Sequence, residues 1–467
     1  MQVRARATST AATLLALLLI AAACSSTTTT AAPVDAPTTT EGSAEPSTDE
    51  QEPDAAWVDG SSDVLFDQDT LHTFELTLSD EALAEIDADP TAEQYVEGSL
   101  TFLGETIEPV GIRYKGSIGA FVGCVDGSDL FNPSGAKSCT KLSMKVKINW
   151  DDPDREFYGV RKLQFHSMNL DQTQLHERLG YHLFREMGVA APRSVHARLM
   201  INGEFSGLYA LTEQIDGRFT RHNFPDGTGN LYKEVWPFAP DGSVRNANEL
   251  IASLRTNEDD NPTAVLTTTF ADQLLDTGNT ERILRDWMDL ETTMAHIVVD
   301  RTIRHDDGPF HWYCFDGACE PHNFYWYEDP SGPTLHLVPW DLDNAFENLV
   351  TDVNPVTPVA DALGEITNDC NSFGYAGFQL PQRSATCDPL FAALAEQTAL
   401  YDEMEDALWD GPLAKDTVEA LLDTWVEQLA DATAEADEAH RDAVAVDTWK
   451  NRVEALKEAL DYVRSRR

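Results

Sequence analysis

The sequence predicts an α+β fold with a strand-rich N-terminal half and a helical C-terminal half. Three observations predict it. Short alternating or β-branched runs, bounded by Gly, Asn and Asp, recur from Asp63 to Lys233. Beyond Phe270 a helical period takes over, plainest where Trp449, Val453, Leu456, Leu460 and Val463 repeat at steps of four and three. Between the halves, residues 301–346 gather acidic, aromatic, Asn and Gly residues in the pattern of a chemical site rather than of a packed element.

The start of the chain reads as an address. Arg4 and Arg6 precede an apolar run from Leu14 to Ala23, and Cys24 follows Ala21-Ala22-Ala23. A basic stretch, a short apolar stretch and small residues before a cysteine predict a lipoprotein signal over residues 1–24, with Cys24 as the lipidated N-terminus; an ordinary secretory signal is the alternative. The run is short for a membrane span, and no later run is long enough. Residues 25–62, opening on SSTTTT and rich in Thr, Ala, Pro, Ser and Glu, offer too little apolar surface to offset chain entropy and predict a disordered tether. Residues 63–467 remain for the folded part, enough for one large two-lobed domain or two domains.

The formal charge is −47, from 33 basic and 80 acidic residues. Such a surface repels nucleic acid and anionic lipid, which excludes both as principal partners and leaves the membrane reachable only through the Cys24 anchor. Of seven cysteines, those other than Cys24 fall into close pairs, Cys124 with Cys139, Cys314 with Cys319, and Cys370 with Cys387. Each pair flanks a loop-like insertion, and an even remainder in an exported chain favours disulfides between neighbours. Zinc is the rival, but no CxxC spacing supports it.

Strands are predicted over 73–78, 97–102 and 110–115, with a turn at Leu103-Gly104-Glu105. A glycine-punctuated segment, Lys115 to Gly119, follows. From Lys141 to Ile148 the alternation is strict: Leu142, Met144, Val146 and Ile148 on one face, Lys141, Ser143, Lys145 and Lys147 on the other. The basic face suits either an edge strand guarded by lysine or a strand facing phosphate. Asp171, with Gln174 three residues on, predicts a helix start, with Leu175, Leu179, Leu183 and Met187 as its apolar stripe and Gly188 and Pro192 ending it. Glu177 lies off that stripe. Residues 194–201 and 204–213 around Asn202-Gly203 predict a β-hairpin with a type I′ turn. Gly229 to Lys233 predicts a turn and strand, 236–262 a polar loop, and 280–304 one helix.

In the junction, Leu335 to Val338 reads as a buried strand feeding Pro339-Trp340-Asp341-Leu342-Asp343. Carboxylates after a strand, with an Asn from the preceding loop, are what a hard divalent cation and a polyphosphate need. Capping a turn or facing solvent is the other reading of Asp341 and Asp343 in so acidic a chain.

These pieces together resemble the CotH kinase family of atypical protein kinases. The matching stretches are Arg113 to Ser117, Lys141 to Ile148, Asn202-Gly203 through Gly207-Leu208-Tyr209 to Glu213, Asn230 to Lys233, Asp307-Gly308 to Asn323, and Pro339 to Asp343. The resemblance implies a two-lobed kinase-like fold, with lobes over about 63–235 and 265–467, using ATP and Mg²⁺ or Mn²⁺. It implies that Lys145, or failing it Lys141, pairs with the nucleotide phosphates, with Glu177 holding that lysine and the Gly116 turn approaching through backbone N–H groups. Glu213 and Lys233 would line the nucleotide pocket. Asp307 would be the catalytic-loop aspartate, with Asp306 its competitor; Asn323, Asp341 and Asp343 would hold metal. Two departures stand out: Ser117 to Ala120 carries few hydroxyls, and an insertion bearing Cys314 and Cys319 separates Asp307 from Asn323.

The expected activity is phosphoryl transfer to Ser or Thr of extracytoplasmic or cell-envelope proteins by a membrane-anchored lipoprotein. The alternatives are a catalytically inactive kinase-like lipoprotein serving as a nucleotide- or metal-binding or envelope-assembly module, and a metal-dependent hydrolase built on the same carboxylates.

Overall fold

The computed structural model describes residues 61–467 except 128, 130–131, 316–317, 333, 351–362, 366, 368 and 375–380. The predicted leader, Cys24 and all but the last two residues of the tether therefore lie outside the described residues.

Seven strands close into a barrel: β1 (His72–Leu78), β2 (Val96–Phe102), β3 (Glu105–Tyr114), β4 (Met144–Lys147), β5 (Lys162–His166), β6 (Ser194–Ile201) and β7 (Glu204–Thr212). Their order is β1-β2-β3-β4-β5-β7-β6. All neighbours are antiparallel except β1 and β6, whose parallel pairing closes the ring. Alternation explains the interior: Leu142, Met144, Val146 and Ile148 are completely buried, with Phe74, Phe102 and Phe165, while Lys145 and Lys147 stay on the outer face. Asn202 and Gly203, at φ +51° and +80°, supply the two left-handed residues that a type I′ turn requires between β6 and β7. Helix α1 (Asp80–Ala88) joins β1 to β2, its first turn capped by the Ser79 hydroxyl, which accepts from Ala82 N–H at 3.1 Å. The four-residue α2 (Ile118–Phe121) follows β3.

The helix expected from Asp171 begins five residues later, as α3 (His176–Glu186). Gln174 sits at φ +59°, which no continuing right-handed helix permits. The Asp171 carboxylate instead ties down a turn, accepting from Thr173 N–H at 2.8 Å and His176 N–H at 2.9 Å. The stripe is as predicted, with Leu175, Leu179 and Leu183 fully buried.

Three short helices and a strand lead onward: α4 (Gly217–Asn223), β8 (Asn230–Lys233), α5 (Ala247–Ala252) in the expected polar loop, and α6 (Val265–Asp276). The single helix expected over 280–304 is two, α7 (Thr280–Trp287) and α8 (Leu290–Thr302). Met288 is extended, and the Asp289 side chain caps α8 by accepting from Thr292 N–H at 2.9 Å, so the chain restarts rather than continues.

Next come β9 (Trp312–Phe315), β10 (Ala318–Glu320), β11 (Phe324–Asp329), β12 (Thr334–Pro339), β13 (Phe373–Gly374) and β14 (Pro381–Arg383). Strands β12, β11 and β8 form one sheet, so β8 pairs across to the C-terminal half; β10, β9, β14 and β13 form another. Helices α9 (Pro389–Ala395), α10 (Thr398–Asp410), α11 (Lys415–Ala439) and α12 (Val446–Arg464) finish the chain. None of the described helices is long and apolar enough to cross a membrane.

The cysteines pair locally, Cys124–Cys139, Cys314–Cys319 and Cys370–Cys387. Cys314 and Cys319 face each other directly across the β9–β10 hairpin.

One large core joins α3, α8, α10, α11 and α12. Trp449 lies fully inside it and donates its indole N–H to the Thr173 carbonyl at 2.9 Å. Trp449→Ala is expected to cost about 3–5 kcal/mol of unfolding free energy, from lost burial and the cavity left behind. A denaturant titration showing a loss under about 1 kcal/mol would contradict that packing.

Candidate active site

The site lies at one end of the barrel, and strand register explains why. Tyr114, Met144 and Phe165 are partners across β3, β4 and β5. One residue further along that row come Lys115, Ser143 and His166, with Lys115 N–H donating to the Ser143 carbonyl at 2.8 Å. Lys115 Nζ lies 2.7 Å from His166 Nε2. His166 Nδ1 in turn lies 2.7 Å and 2.9 Å from the two oxygens of Glu177, in the first turn of α3. The Thr212 hydroxyl donates to Glu177 Oε1 at 2.9 Å. Burial pushes the Lys115 ammonium below its ordinary pKa, against the opposing pull of the Asp341 and Glu177 carboxylates. For Glu177 burial works upward, but His166, Thr212 and Lys115 outweigh it and hold the carboxyl below its usual range.

Gly116 follows at φ +152°, and its N–H donates to Glu93 Oε1 at 2.9 Å. A Cβ there would lie 2.4 Å from that of Ala120, so only glycine brings the short α2 turn this close.

The opposite wall begins where α8 ends. His305 is completely buried, with Nδ1 2.9 Å from Asp300 Oδ2 and Nε2 3.1 Å from the Asp341 carbonyl. Burial works against its charge, yet the acceptors facing both nitrogens win, and its pKa is raised. This pair fixes the place of Asp341, and it also explains Gly308: a Cβ there would sit 2.5 Å from His305 Nδ1 and 2.6 Å from Asp300 Oδ2.

Asp307 accepts from Asn323 Nδ2 at 2.7 Å through Oδ2. Its Oδ1 is buried with no hydrogen bond of ordinary geometry. Burial above all, with help from Asp341, pushes this carboxyl up to about 7, although His305 and Tyr313 pull the other way. Asp306 is a different residue in kind: fully buried, it is held by Arg304 Nε at 3.2 Å, by the Asn348 side-chain amide, and by His311 at 3.7 Å.

Asp341 follows β12 at φ +58°, its N–H donating to the Tyr181 hydroxyl at 3.1 Å. Asp343 is pushed well above the carboxylate range by burial and by the carboxylates of Asp341, Glu177 and Asp307. Among the described residues no three His, Cys, Asp or Glu side chains form a ready-made metal cluster. A small hard cation needs no such cage, since it takes one or two carboxylates and fills its shell with phosphate oxygens and water. The mutual repulsion at Asp343 and the unpartnered Asp307 oxygen fit a site that gains by receiving positive charge.

Of the residues singled out in the sequence, Gly116, Glu177, Asp307, Asn323, Asp341 and Asp343 line one cleft together. Lys145 does not. It stands on the outer face of β4, registered between Arg113 and Gln164, and burial with the cations Lys162, Lys115 and Arg113 pushes its ammonium down to about 7. Lys141 lines a neighbouring cavity of about 370 Å³ with Thr140, His440 and Asp442, its Nζ donating to the Leu208 carbonyl at 2.7 Å. Glu213 is engaged by Arg193, with Nη2 2.7 Å from Oε1 and Nε 3.1 Å from Oε2. Lys233 sits 3.6 Å from Glu234, near the cleft but not on its wall. The cleft lysine is Lys115, which sequence reasoning passed over together with His166. The available signal was a lysine directly before the strand-ending glycine. The Cys314–Cys319 insertion closes as a hairpin, and Asp307 and Asn323 meet at its base.

Residues 112–467 match the family described as CotH kinase protein. No curated protein matches. Among solved structures the chain is similar to the Shewanella oneidensis MR-1 HipA of a HipA, HipB and operator DNA complex, at 12% identity over 72% of this chain and 62% of that one, with a TM-score of 0.24. It is also similar to the Helicobacter pylori proinflammatory kinase CtkA, at 11% identity over 67% of this chain and 94% of that one, with a TM-score of 0.22. The family match begins within β3, so β1 and β2 precede it.

Proposed function

We propose, for a chain that belongs to the CotH kinase family, phosphoryl transfer from ATP to Ser or Thr of extracytoplasmic proteins, dependent on a divalent metal. The observation that carries this reading is the convergence of Lys115, Glu177, Asp307, Asn323, Asp341 and Asp343 on one cleft between the barrel and the helical half.

Positioning and charge neutralisation carry most of the rate in such chemistry, because the protein does little covalent work. Lys115, held through His166 by Glu177, faces the phosphates. Asp307, with one oxygen fixed by Asn323 and the other making no hydrogen bond of ordinary geometry, orients the acceptor hydroxyl and receives its proton as the new O–P bond forms and the bond from the γ-phosphorus to the ADP oxygen breaks. Asp341, Asp343 and the Asn323 side-chain oxygen would hold Mg²⁺ or Mn²⁺, which supplies Lewis-acid neutralisation of phosphate charge. The Asn323 amide nitrogen is spent on Asp307, so its oxygen is the atom left for metal.

Three disulfides support an oxidising, extracytoplasmic setting. Lipid anchoring through Cys24 and a protein acceptor bearing Ser or Thr complete the proposal, and a formal charge of −47 argues against nucleic acid as a partner.

Labelled ATP with Mn²⁺ tests it. Label is expected to pass to protein and to fall by at least about 10²-fold in Asp341→Ala. Nucleotide-induced thermal stabilisation without transfer would replace this reading with that of an inactive binding module. Release of phosphate to water without protein labelling would replace it with a hydrolase.

A further inference from the structure

The lysine and glutamate of this cleft do not touch. Among the described residues no carboxylate lies within ion-pair distance of Lys115, and the side-chain hydrogen bond of its ammonium goes to an imidazole. We infer that His166 is a positioning residue, a neutral imidazole whose Nδ1–H tautomer connects the Glu177 carboxylate to the Lys115 ammonium. The inference rests on the functional reading above, in which Lys115 faces the nucleotide phosphates.

Proton accounting carries it. An ionised Glu177 can only accept, and both its oxygens lie within 2.9 Å of Nδ1, so Nδ1 must bear the hydrogen. A lysine ammonium can only donate, so Nε2, 2.7 Å away, must present its lone pair. The neutral Nδ1–H tautomer satisfies both partners. A protonated ring sets an N–H against an ammonium and satisfies only Glu177.

The surroundings hold this arrangement in place. Thr212 on β7 fixes the Glu177 oxygen, and the indole of Trp340 stands edge-on to the imidazole at 5.8 Å. The same indole presents its face to Lys115 Nζ at 5.5 Å, so the ammonium lies between an aromatic face and a ring nitrogen. The other charged groups acting here are Asp341, Glu93, Lys233 and Lys145, which interact with Lys115, and Asp343, whose carboxyl interacts with Glu177. Among the described residues the side-chain hydrogen bond that holds the Lys115 ammonium thus comes from one ring, and its sense is set by which nitrogen carries the hydrogen.

Two measurements test this. In protein labelled with ¹⁵N-histidine, His166 is expected to show a protonated Nδ1 and a bare Nε2; an Nε2–H tautomer overturns the inference, whatever the catalytic activity. Second, kcat/KM and ATP affinity are compared in wild-type, His166→Gln and His166→Asn protein. The glutamine carbonyl still offers Lys115 an acceptor, whereas His166→Asn, which reaches Glu177 but not Lys115, is expected to lose kcat/KM roughly 10- to 100-fold and to lose more than His166→Gln. Equal losses in folded His166→Gln and His166→Asn proteins, or wild-type kcat/KM in a folded His166→Asn protein, overturn the inference. Failure of the wild type to bind ATP overturns the functional reading instead, and the tautomer then decides the role of His166 alone.

Discussion

Lys115→Met is expected to cut phosphoryl transfer by about 10²–10³-fold, while Lys145→Met changes it by no more than about threefold. Lys115 is the ammonium on the cleft wall, joined through His166 to Glu177 and acted on by the Asp341 carboxylate. Removing it leaves phosphate charge without its fixed counter-charge in a site of low dielectric, where such interactions count most. The fold should tolerate the change, because methionine has similar length and carries no desolvation cost. A melting temperature equal to or above that of the wild type, with transfer lost, is the expected pair of results. Lys145 is crowded by Lys162, Lys115 and Arg113, so its neutralisation relieves repulsion and leaves the cleft intact. Loss of transfer in Lys145→Met with retention in Lys115→Met would reverse the assignment.

Asp307→Asn is expected to lower transfer by about 10²–10⁴-fold with melting close to wild type, whereas Asp306→Ala is expected to cost about 3–5 kcal/mol of stability. The neighbouring aspartates differ because their surroundings differ. Asp307 has one oxygen on Asn323 and the other unpartnered at the cleft. Asp306 is buried among Arg304, Asn348 and His311, and truncating it removes the buried acceptor that Arg304 and the Asn348 amide share. The check is a labelled-ATP assay beside a denaturant titration on each variant. A folded Asp306→Ala protein without activity, with an active Asp307→Asn protein, would exchange the two roles.

Much of this was legible in the sequence, and the exceptions have physical causes. The β6–β7 hairpin was legible because Asn202-Gly203 specifies its own turn. The fully buried face of β4 was legible because alternation separates a strand's two sides. That same alternation drew attention to Lys145, since it reports which face a residue occupies and not which end of a strand meets the other lobe. Lys115 and His166 lie far apart in sequence and become neighbours only through the β3–β4–β5 register. Glu177 was visible as a glutamate off the apolar stripe of its helix, but the ring between it and the lysine was not. The late start of α3 was hidden because nothing local announces the left-handed backbone at Gln174. The break between α7 and α8 was carried by Asp289, a capping residue inside an otherwise helical pattern.

The parallel closure of β1 on β6 has a further consequence for how a protein acceptor can approach. Among the described residues, a ring of seven strands leaves no barrel strand with a wholly unpaired edge. An acceptor polypeptide extending the sheet, the route that reads backbone and tolerates many sequences, is therefore confined to short overhangs such as the part of β3 before Gly111. Whatever selectivity the barrel contributes has to come from side chains and loops at its rim, and is correspondingly open to change by single surface substitutions that leave the ring untouched.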